Sequence, residues 1–428
     1  MLTGVNNAAD FRRNGLRYPE TGSGLRQTGA ATGRRAYPFP ARMPAALAEF
    51  LVEQFTDPAD TVLDPMVGSG TTIVAARRLG RRAIGFDLDP LSVTLARAVG
   101  TTYDTPALWK IHDGVLQAAG EILSRPSQLV EALRTHFDER DREFLDYWFP
   151  PRSQFELFAL RSAVSMEGDE RVRDFLWLVF SSLIIAKSAG ASYALDLAHS
   201  RPHRNIEKRI VWPLEAWTTR FRRAIKGLPF TSRRESFAEA MVRVGDAQHM
   251  ELADCSADFV LTSPPYRLAI DYVRAHKFSL IWMGHRLGEL RTLRSSMIGA
   301  ERALLSPDGL PTSVEDALKR SIPLPSRRGV IRRYVSDLQA SLREIQRVLK
   351  PGAVAVVVVG PSIISRSRHD APELMRQLAS AARLDLLATV ERRLNTGRRA
   401  LPAPSKAPAG NALRKRMRRE FLVALGKG

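Results

Sequence analysis

Short apolar runs alternate with amphipathic stretches near both ends of the chain, whereas the middle carries helical periodicity alone. The runs are rich in β-branched residues and are bounded by Gly, Pro or Asp, a pattern typical of buried strands. They are 61–63, 83–86, 242–244, 258–261, 354–359, 386–390 and 421–425. Because strands alternate with helical segments, we expect an α/β fold. The order of the two loops described below adds the expectation of one doubly wound, mostly parallel sheet with an antiparallel final strand.

The middle of the chain, residues 103–240, interrupts this alternation. Helical periodicity covers 141–148, 154–165, 171–186 and 214–226, which predicts a helical insertion within the α/β core. Aromatic and basic side chains are interleaved there, as in surfaces that bind nucleic acid. A helical subdomain with an ordinary charged outer face is the alternative interpretation.

The first loop with candidate chemistry follows the strand at 61–63 and contains Gly68 and Gly70. Glycines there let a ligand approach the backbone closely, and the next helix presents N–H groups that favour an anion such as a carboxylate. Asp87 ends the following strand, where an acid can accept hydrogen bonds from ribose hydroxyls. The loop lacks the Lys of a P-loop and the spacing of a dinucleotide fingerprint. A ligand with a nucleoside and a carboxylate, such as S-adenosylmethionine, fits it better.

The second loop is Thr262-Ser263-Pro264-Pro265-Tyr266, at the end of the strand 258–261. Its prolines hold a hydroxyl, a backbone carbonyl and an aromatic face in fixed geometry. These groups suit chemistry on the exocyclic amino group of a nucleobase. The base would stack on Tyr266 while Ser263 and a Pro carbonyl accept hydrogen bonds from its amino group.

Together the two loops resemble the DNA amino-methyltransferases, which modify the N4 of cytosine or the N6 of adenine. Met66 stands where this family usually has Phe. The segments 37–44, 244–247 and 349–352 are also similar to family motifs, so the resemblance covers the outer parts of the chain and not the middle. It implies a Rossmann-like methyltransferase fold, S-adenosylmethionine as cofactor, no metal, and DNA as partner. It leaves open a cognate restriction endonuclease as a second partner.

The resemblance also implies roles for individual residues. The catalytic set is Ser263, Pro264, Pro265 and Tyr266. The cofactor-binding set is Asp64, Pro65, Gly68, Ser69, Gly70, Thr71, Thr72, Asp87, Asp246, Ala247 and Thr262. Beyond the catalytic loop, the candidates for orienting the extruded base or its phosphate are Asp271, Tyr272, Arg274 and His276. For His276 we favour the alternative, a histidine on a helix surface.

Several alternatives concern the substrate. Ser in the first position of the Ser-Pro-Pro-Tyr motif, here Ser263, is commoner in cytosine-N4 members, so we expect a site-specific cytosine-N4 DNA methyltransferase. Adenine N6 is the alternative base, and RNA is the alternative polymer. A non-catalytic DNA-binding protein that keeps the fold is a third possibility.

Composition agrees with a nucleic-acid partner. The chain has 64 Lys and Arg against 45 Asp and Glu, a formal net charge of +19, although part of this excess reflects an Arg-rich composition. Its single cysteine, Cys255, excludes an internal disulfide and a Cys-rich zinc site, and it lies in a polar turn unsuited to cytosine-C5 chemistry. With no visible signal peptide or membrane segment, we expect a cytoplasmic protein.

These observations divide the chain into six regions. They are a flexible basic arm (1–35), the cofactor-binding half of the core (36–102), the helical insertion and candidate target-recognition region (103–240), the catalytic strand and loop (241–285), a mobile basic loop that is a second candidate for substrate contact (286–333) and the rest of the core (334–428).

Overall fold

A computed structural model describes most of the chain. The described residues are 37–39, 42–186, 189–195, 197, 202–231, 238–265, 272–298, 309–322, 325–360, 370–393 and 419–428. The proposed N-terminal arm, 1–35, lies outside them.

The described residues form one large sheet and one small hairpin. The strands are β1 (Thr61–Asp64), β2 (Arg82–Asp87), β3 (Ala194–Leu195), β4 (His203–Arg204), β5 (Ala240–Val244), β6 (Ala257–Thr262), β7 (Leu349–Val359), β8 (Asp385–Arg393) and β9 (Arg419–Gly426). The large sheet has seven strands in the order β5-β2-β1-β6-β7-β9-β8, and β3 pairs with β4. Neighbouring strands are parallel except around β9, which is antiparallel to both β7 and β8. This confirms the doubly wound, mostly parallel sheet with an antiparallel last strand.

Helices cover both faces of the sheet. They are α1 (Ala45–Phe55), α2 (Thr71–Arg78), α3 (Pro90–Gly100), α4 (Thr105–Leu123), α5 (Pro126–His136), α6 (Glu139–Trp148), α7 (Pro151–Ser165), α8 (Glu170–Ile184), α9 (Pro213–Gly227), α10 (Tyr272–Leu280), α11 (Leu287–Ser296), α12 (Thr312–Ser321), α13 (Pro325–Val348) and α14 (Asp370–Ala381). Within the described part of the chain, none of them has the length and apolar character needed to cross a membrane.

Alternate residues of the central strands β1 and β6 belong to two separate hydrophobic cores, one on each face of the sheet. Val62 and Phe259 pack against α1 and α2 on one face. Their neighbours Leu63 and Val260 pack against α12, α13 and α14 on the other. Side chains alternate in this way because successive residues of a strand point to opposite faces, and a central strand covered on both faces is apolar throughout.

The insertion predicted for 103–240 is a helical unit, α4 to α9, followed by the return to the sheet at β5. Its core joins Phe175 of α8 and Phe221 of α9 to Leu95 and Val99 of α3, so the insertion packs directly on the helix that follows β2. The helices at 141–148, 154–165, 171–186 and 214–226 are confirmed as α6 to α9. Sequence periodicity missed α4 and α5, whose exposed faces carry many polar residues.

The prediction of a mobile basic loop at 286–333 is wrong over the described residues, which form α11, α12 and the first turns of α13. Val314 and Leu318 are fully buried, and Ile322 and Ile331 are nearly so. These few apolar residues recur at helical spacing among many basic ones, so one narrow stripe fixes the helices while the charges stay outside.

Candidate active site

The two predicted loops meet at the carboxyl edge of the sheet. β1 and β6 are parallel neighbours, with Val62 paired to Phe259 and Leu63 to Val260. The glycine loop leaves β1 and the proline loop leaves β6, so both emerge side by side. Ligands of doubly wound sheets bind at such an edge.

The glycine loop depends on conformations that other residues avoid. Gly68 and Gly70 have φ values of +48° and +78°. A Cβ at Gly70 would also lie 2.9 Å from the Cα of Ala96, so the start of α2 can approach α3 only with glycine there. The loop therefore presents bare backbone at the first turn of α2, as close contact with a ligand requires.

Asp64 and Thr72 lie beneath this loop. The Asp64 carboxylate accepts the N–H of Met66 at 3.1 Å and is almost fully buried. Burial raises the pKa of Asp64 to about 6, against the opposing effect of the Thr72 and Thr262 hydroxyls and the Met66 N–H. The Thr72 hydroxyl also reaches the Leu261 carbonyl on β6, at 3.5 Å. These two residues hold the glycine loop to the neighbouring strands.

Asp87 lies at the end of β2 and faces the glycine loop. One carboxylate oxygen accepts the N–H of Gly68 and the other accepts the N–H of Asp89, each at 2.9 Å. Burial raises the pKa of Asp87 to about 7, and the negative charge of Asp89 raises it further against these two bonds. Each of these carboxylate oxygens has a second lone pair, so Asp87 can accept hydrogen bonds from a ligand while it keeps both internal bonds.

Asp89 and His276 form a buried pair next to Asp87. His276 Nδ1 contacts Asp89 Oδ2, and each side chain is 1% exposed. Burial raises the pKa of Asp89, but the adjacent His276 ring and the N–H groups of Leu91 and Ser92 outweigh it and lower the value overall. The prediction that His276 lies on a helix surface is therefore wrong. His276 is buried beside the site because its partner, the Asp89 carboxylate, is itself buried there.

An aromatic cluster covers the same acids. Phe39 stacks on Tyr272 with ring centroids 5.3 Å apart, and its ring lies 3.6 Å from where a Cβ of Gly68 would be. Tyr37 is 2% exposed, and its hydroxyl has no hydrogen-bond partner among the described residues. Burial and the charge of Asp89 raise the pKa of Tyr37 well above its ordinary value. The segment before α1 thus closes the cofactor-side wall.

The proline loop is fixed from its far side. Pro264 is buried, whereas Ser263 and Pro265 are partly exposed at the sheet edge. The Tyr334 hydroxyl, on α13, donates to the Pro265 carbonyl at 2.9 Å. Thr262 is fully buried, and its hydroxyl makes no hydrogen bond of ordinary geometry within the described residues. Tyr266 and Asp271 lie outside the described residues.

The remaining predicted residues take varied positions around this edge. Pro65 is buried, and the Ser69 and Thr71 hydroxyls lie 3.3 Å apart at the start of α2. Asp246 and Ala247 follow β5, next to β2, where the Asp246 carboxylate accepts the N–H of Gln248 at 2.9 Å. Arg274 lies partly buried on α10.

The sequence patterns did not predict the contacts of three residues around the site: Asp89, His276 and Tyr334. For His276 a signal existed, because Val273, His276 and Leu280 follow the three- and four-residue spacing of a buried helix stripe. Tyr334 carried no comparable signal, since its contact with Pro265 spans 69 positions of sequence.

Comparisons with known proteins agree with the paired loops. A DNA methylase family model matches residues 14–97. The type II methyltransferase M.MvaI of Kocuria varians is 23% identical over 354 residues, 76% of each chain. M.MjaII of Methanocaldococcus jannaschii is 20% identical over 326 residues, 57% of this chain and 61% of its own. M2.DpnII of Streptococcus pneumoniae is 47% identical over 58 residues, 14% of this chain and 22% of its own.

Solved structures similar to this chain include a SAM-dependent methyltransferase of Methanosarcina mazei, 10% identical with a TM-score of 0.32, covering 88% of this chain and 96% of its own. The fold assignment rests on the strand order given above. The two loops side by side at the carboxyl edge and these sequence matches together support the S-adenosylmethionine-dependent DNA amino-methyltransferase family for this chain.

Proposed function

We propose that this protein methylates the exocyclic N4 of cytosine in DNA. The observation that carries the proposal is the partly exposed Ser263. It lies in a proline-fixed loop at the end of β6, and β6 is the parallel neighbour of β1, the strand that precedes the glycine loop. Hydroxyl and carbonyl acceptors at that point suit an amino group that gains positive charge as it reacts.

The residues of the cofactor side fit S-adenosylmethionine. Asp87 would accept the ribose hydroxyls, the first turn of α2 would bind the carboxylate, and Asp246 with Ala247 would border the adenine. The buried Tyr37 hydroxyl, which has no partner among the described residues, offers one further polar contact. When bound, S-adenosylmethionine supplies a methyl group on a positively charged sulfur.

The protein's contribution to the reaction is to hold the amino group. An aryl amine is a poor nucleophile because its lone pair is delocalised into the ring. Acceptors at Ser263 and at the Pro264 carbonyl favour a pyramidal nitrogen and stabilise its developing charge. The Pro265 carbonyl already accepts the Tyr334 hydroxyl, which favours Pro264 as the second acceptor. The amino proton leaves to solvent after transfer, so this account needs no general base.

Cytosine is favoured over adenine by the residue type in the catalytic loop. Ser263 stands where adenine-N6 members more often carry Asp or Asn, and a hydroxyl there resembles the cytosine-N4 pattern. The same mechanism would act on adenine N6, so the choice of base is the finer part of the proposal.

Within the insertion, the β3–β4 hairpin is our candidate for DNA contact. The Arg204 guanidinium lies 4.6 Å from the Tyr147 ring centroid and 5.2 Å from that of Tyr193. The buried Lys208 ammonium donates to the Ser192 and Ala194 carbonyls at 2.8 and 2.6 Å, which fixes the hairpin. Tyr147 is 52% exposed. A fixed basic and aromatic surface of this kind suits a nucleic-acid backbone and its bases.

The hairpin is continuous with the helix that follows the catalytic loop. Phe278 of α10 lies against Trp148, with ring centroids 5.0 Å apart. The backbone carbonyl of Trp148 accepts the Tyr193 N–H at 2.8 Å. Lys277 of α10 lies 5.0 Å from the Phe144 ring centroid. DNA held on the hairpin would therefore lie beside α10 and near the catalytic loop.

A second basic surface lies at the opposite edge. Thr219, Arg222, Arg223 and Lys226, near the end of α9, line a surface hollow of about 330 Å³. Phe230, just beyond α9, lies under the Arg77 guanidinium at the end of α2. Because α2 runs back from the carboxyl edge of the sheet, the end of α9 lies at the amino edge, away from the catalytic loop.

These two surfaces supply a matched test. Arg204→Ala should weaken DNA binding about tenfold and reduce its salt dependence, because a phosphate contact is lost. Arg223→Ala, an exposed arginine of the amino edge, should leave affinity within about twofold. Fluorescence anisotropy at two salt concentrations measures both, and thermal denaturation checks folding. Equal losses would remove the hairpin from the proposal.

The function itself is tested by incubation with methyl-labelled S-adenosylmethionine and unmethylated genomic DNA, with total RNA in parallel. The polymers are digested and their nucleosides resolved by mass spectrometry. We expect N4-methylcytosine in DNA. N6-methyladenine would overturn the choice of base, label in RNA alone would overturn the choice of polymer, and cofactor binding without transfer would support a non-catalytic role.

A further inference from the structure

We infer that His276 is a positioning residue that makes the binding of target DNA depend on bound cofactor. The inference rests on the proposed function. It assigns to the buried Asp89–His276 pair the task of linking the cofactor side of the active site to the DNA side.

α10 connects the two sides along the chain. It begins at Tyr272, seven positions after Pro265 of the catalytic loop, and its later residues Lys277 and Phe278 contact the insertion. Its position therefore influences both where the chain leaves the catalytic loop and where the candidate DNA surface is held.

A path of direct contacts runs from α10 to the glycine loop. His276 contacts the Asp89 carboxylate, and the Asp89 N–H donates to one oxygen of Asp87 at 2.9 Å. The other oxygen of Asp87 accepts the Gly68 N–H at 2.9 Å. Asp89 also caps α3 through the Leu91 N–H at 2.9 Å, which joins the path to that helix. His276 is thus connected through one residue, Asp89, to Asp87, the acid proposed to bind the cofactor.

An aromatic path runs beside the polar one. Tyr272, one turn before His276, stacks on Phe39, and Phe39 covers Gly68. Phe39 also meets the His276 ring edge-on, with centroids 5.6 Å apart. Residues four apart lie on the same face of a helix, so Tyr272 and His276 both face Phe39 and the glycine loop.

The burial of the pair makes this link strong. Both side chains are 1% exposed, so neither finds water as a substitute partner. Separating the pair would leave a buried carboxylate without its counterpart, which is strongly unfavourable. α10 therefore follows Asp89 rather than moving independently of it.

Cofactor binding then acts on α10 through Asp87. Ribose hydroxyls on Asp87 would fix its carboxylate, and with it Asp89, His276 and the start of α10. DNA would then meet an α10 that is already held in place, so it would bind more tightly. The coupling is reciprocal: DNA would tighten cofactor binding by the same factor.

The test compares DNA affinity with and without saturating S-adenosylhomocysteine, which cannot react. In the wild type we expect DNA to bind about tenfold more tightly with the cofactor product present, a typical size for coupling between sites. His276→Asn keeps an amide N–H near the position of Nδ1 and should retain most of this factor. His276→Gln moves the donor to the position of Nε2 and should reduce the factor to below about twofold.

Each outcome bears on the inference. Full coupling in His276→Gln would show that His276 only fills space and would overturn it, as would a wild type without coupling. His276→Leu serves as the second variant if the glutamine misfolds. Methyl transfer by the wild type, assayed in parallel, separates the two claims: transfer without coupling refutes the link alone, whereas coupling without transfer refutes the proposed function alone.

Discussion

The cofactor side and the catalytic side of the carboxyl edge are built from different chemistry. The cofactor side gathers three buried or partly buried carboxylates, Asp64, Asp87 and Asp89, with His276 against the last. The described part of the catalytic loop presents Ser263, Pro264 and Pro265, none of which titrates near neutral pH. One side of the active site therefore responds to protons and charge, and the other responds to geometry.

This difference separates binding from chemistry. Buried acids with raised pKa values favour a ligand that brings hydroxyl donors and positive charge, as S-adenosylmethionine does. In the proposed reaction, neutral acceptors on a proline-fixed loop would act in the transition state, where the amino nitrogen becomes positive. Variants on the cofactor side should change cofactor affinity, and variants on the catalytic side should change the rate of transfer.

The largest expected effect is on the catalytic side. Ser263→Ala removes an acceptor from the reacting amino group and should lower the transfer rate by about 10² to 10³, the usual loss for a group that stabilises transition-state charge. Cofactor affinity should stay within about twofold. Single-turnover assays and calorimetry measure the two quantities. Ser256→Ala, at the amino end of β6, is the matched control, and a fully active Ser263→Ala would refute the catalytic assignment.

A smaller effect is expected on the cofactor side. Asp87→Asn removes the charge that would bind the ribose hydroxyls, and cofactor affinity should fall by roughly 30-fold, about 2 kcal/mol, as for hydrogen bonds to a charged group. The transfer rate at saturating cofactor should change little. Asp254→Asn, an exposed acid before β6, should leave calorimetric affinity unchanged. A loss of transfer rate in Asp87→Asn without a loss of cofactor affinity would contradict the assignment of Asp87 to binding and would place it in the chemistry.

The smallest effect is expected behind the catalytic loop. Tyr334→Phe removes the hydroxyl that holds the Pro265 carbonyl, at a cost of about 1 kcal/mol and therefore about fivefold in transfer rate. Tyr103→Phe is the matched control, because the Tyr103 hydroxyl likewise donates to a backbone carbonyl, that of Arg171 at 3.0 Å, within the insertion. Both variants should lose similar stability, and only Tyr334→Phe should be slow. Equal transfer rates in the two variants would show that the catalytic loop keeps its position without the Tyr334 hydrogen bond.

Sequence analysis found the parts of the site that depend on local rules. Gly68 and Gly70 mark a turn that needs positive φ, Pro264 and Pro265 mark a fixed loop, and strand periodicity orders the two motifs on the sheet. Most predicted strands and helices follow from the same local periodicity.

The rest depends on contacts between distant segments. His276 meets Asp89 across 187 positions and Tyr334 meets Pro265 across 69, so no spacing rule places these partners together. The helices in 286–333 escaped detection for a different reason: their apolar stripe is narrow and their many basic residues resemble a loop. A polar residue on a buried stripe, such as His276, is the sign that a distant partner exists.

The most direct test of the division between binding and chemistry is a pair of pH profiles between pH 6 and 8. With the pKa of Asp87 at about 7, a proton must leave this carboxyl before cofactor binds at lower pH. Cofactor Kd should therefore rise up to about tenfold per unit below pH 7 and level off above it. The single-turnover rate at saturating cofactor and DNA should stay flat. A rate that falls below pH 7 under saturation would place a titrating base in the chemistry and contradict the account.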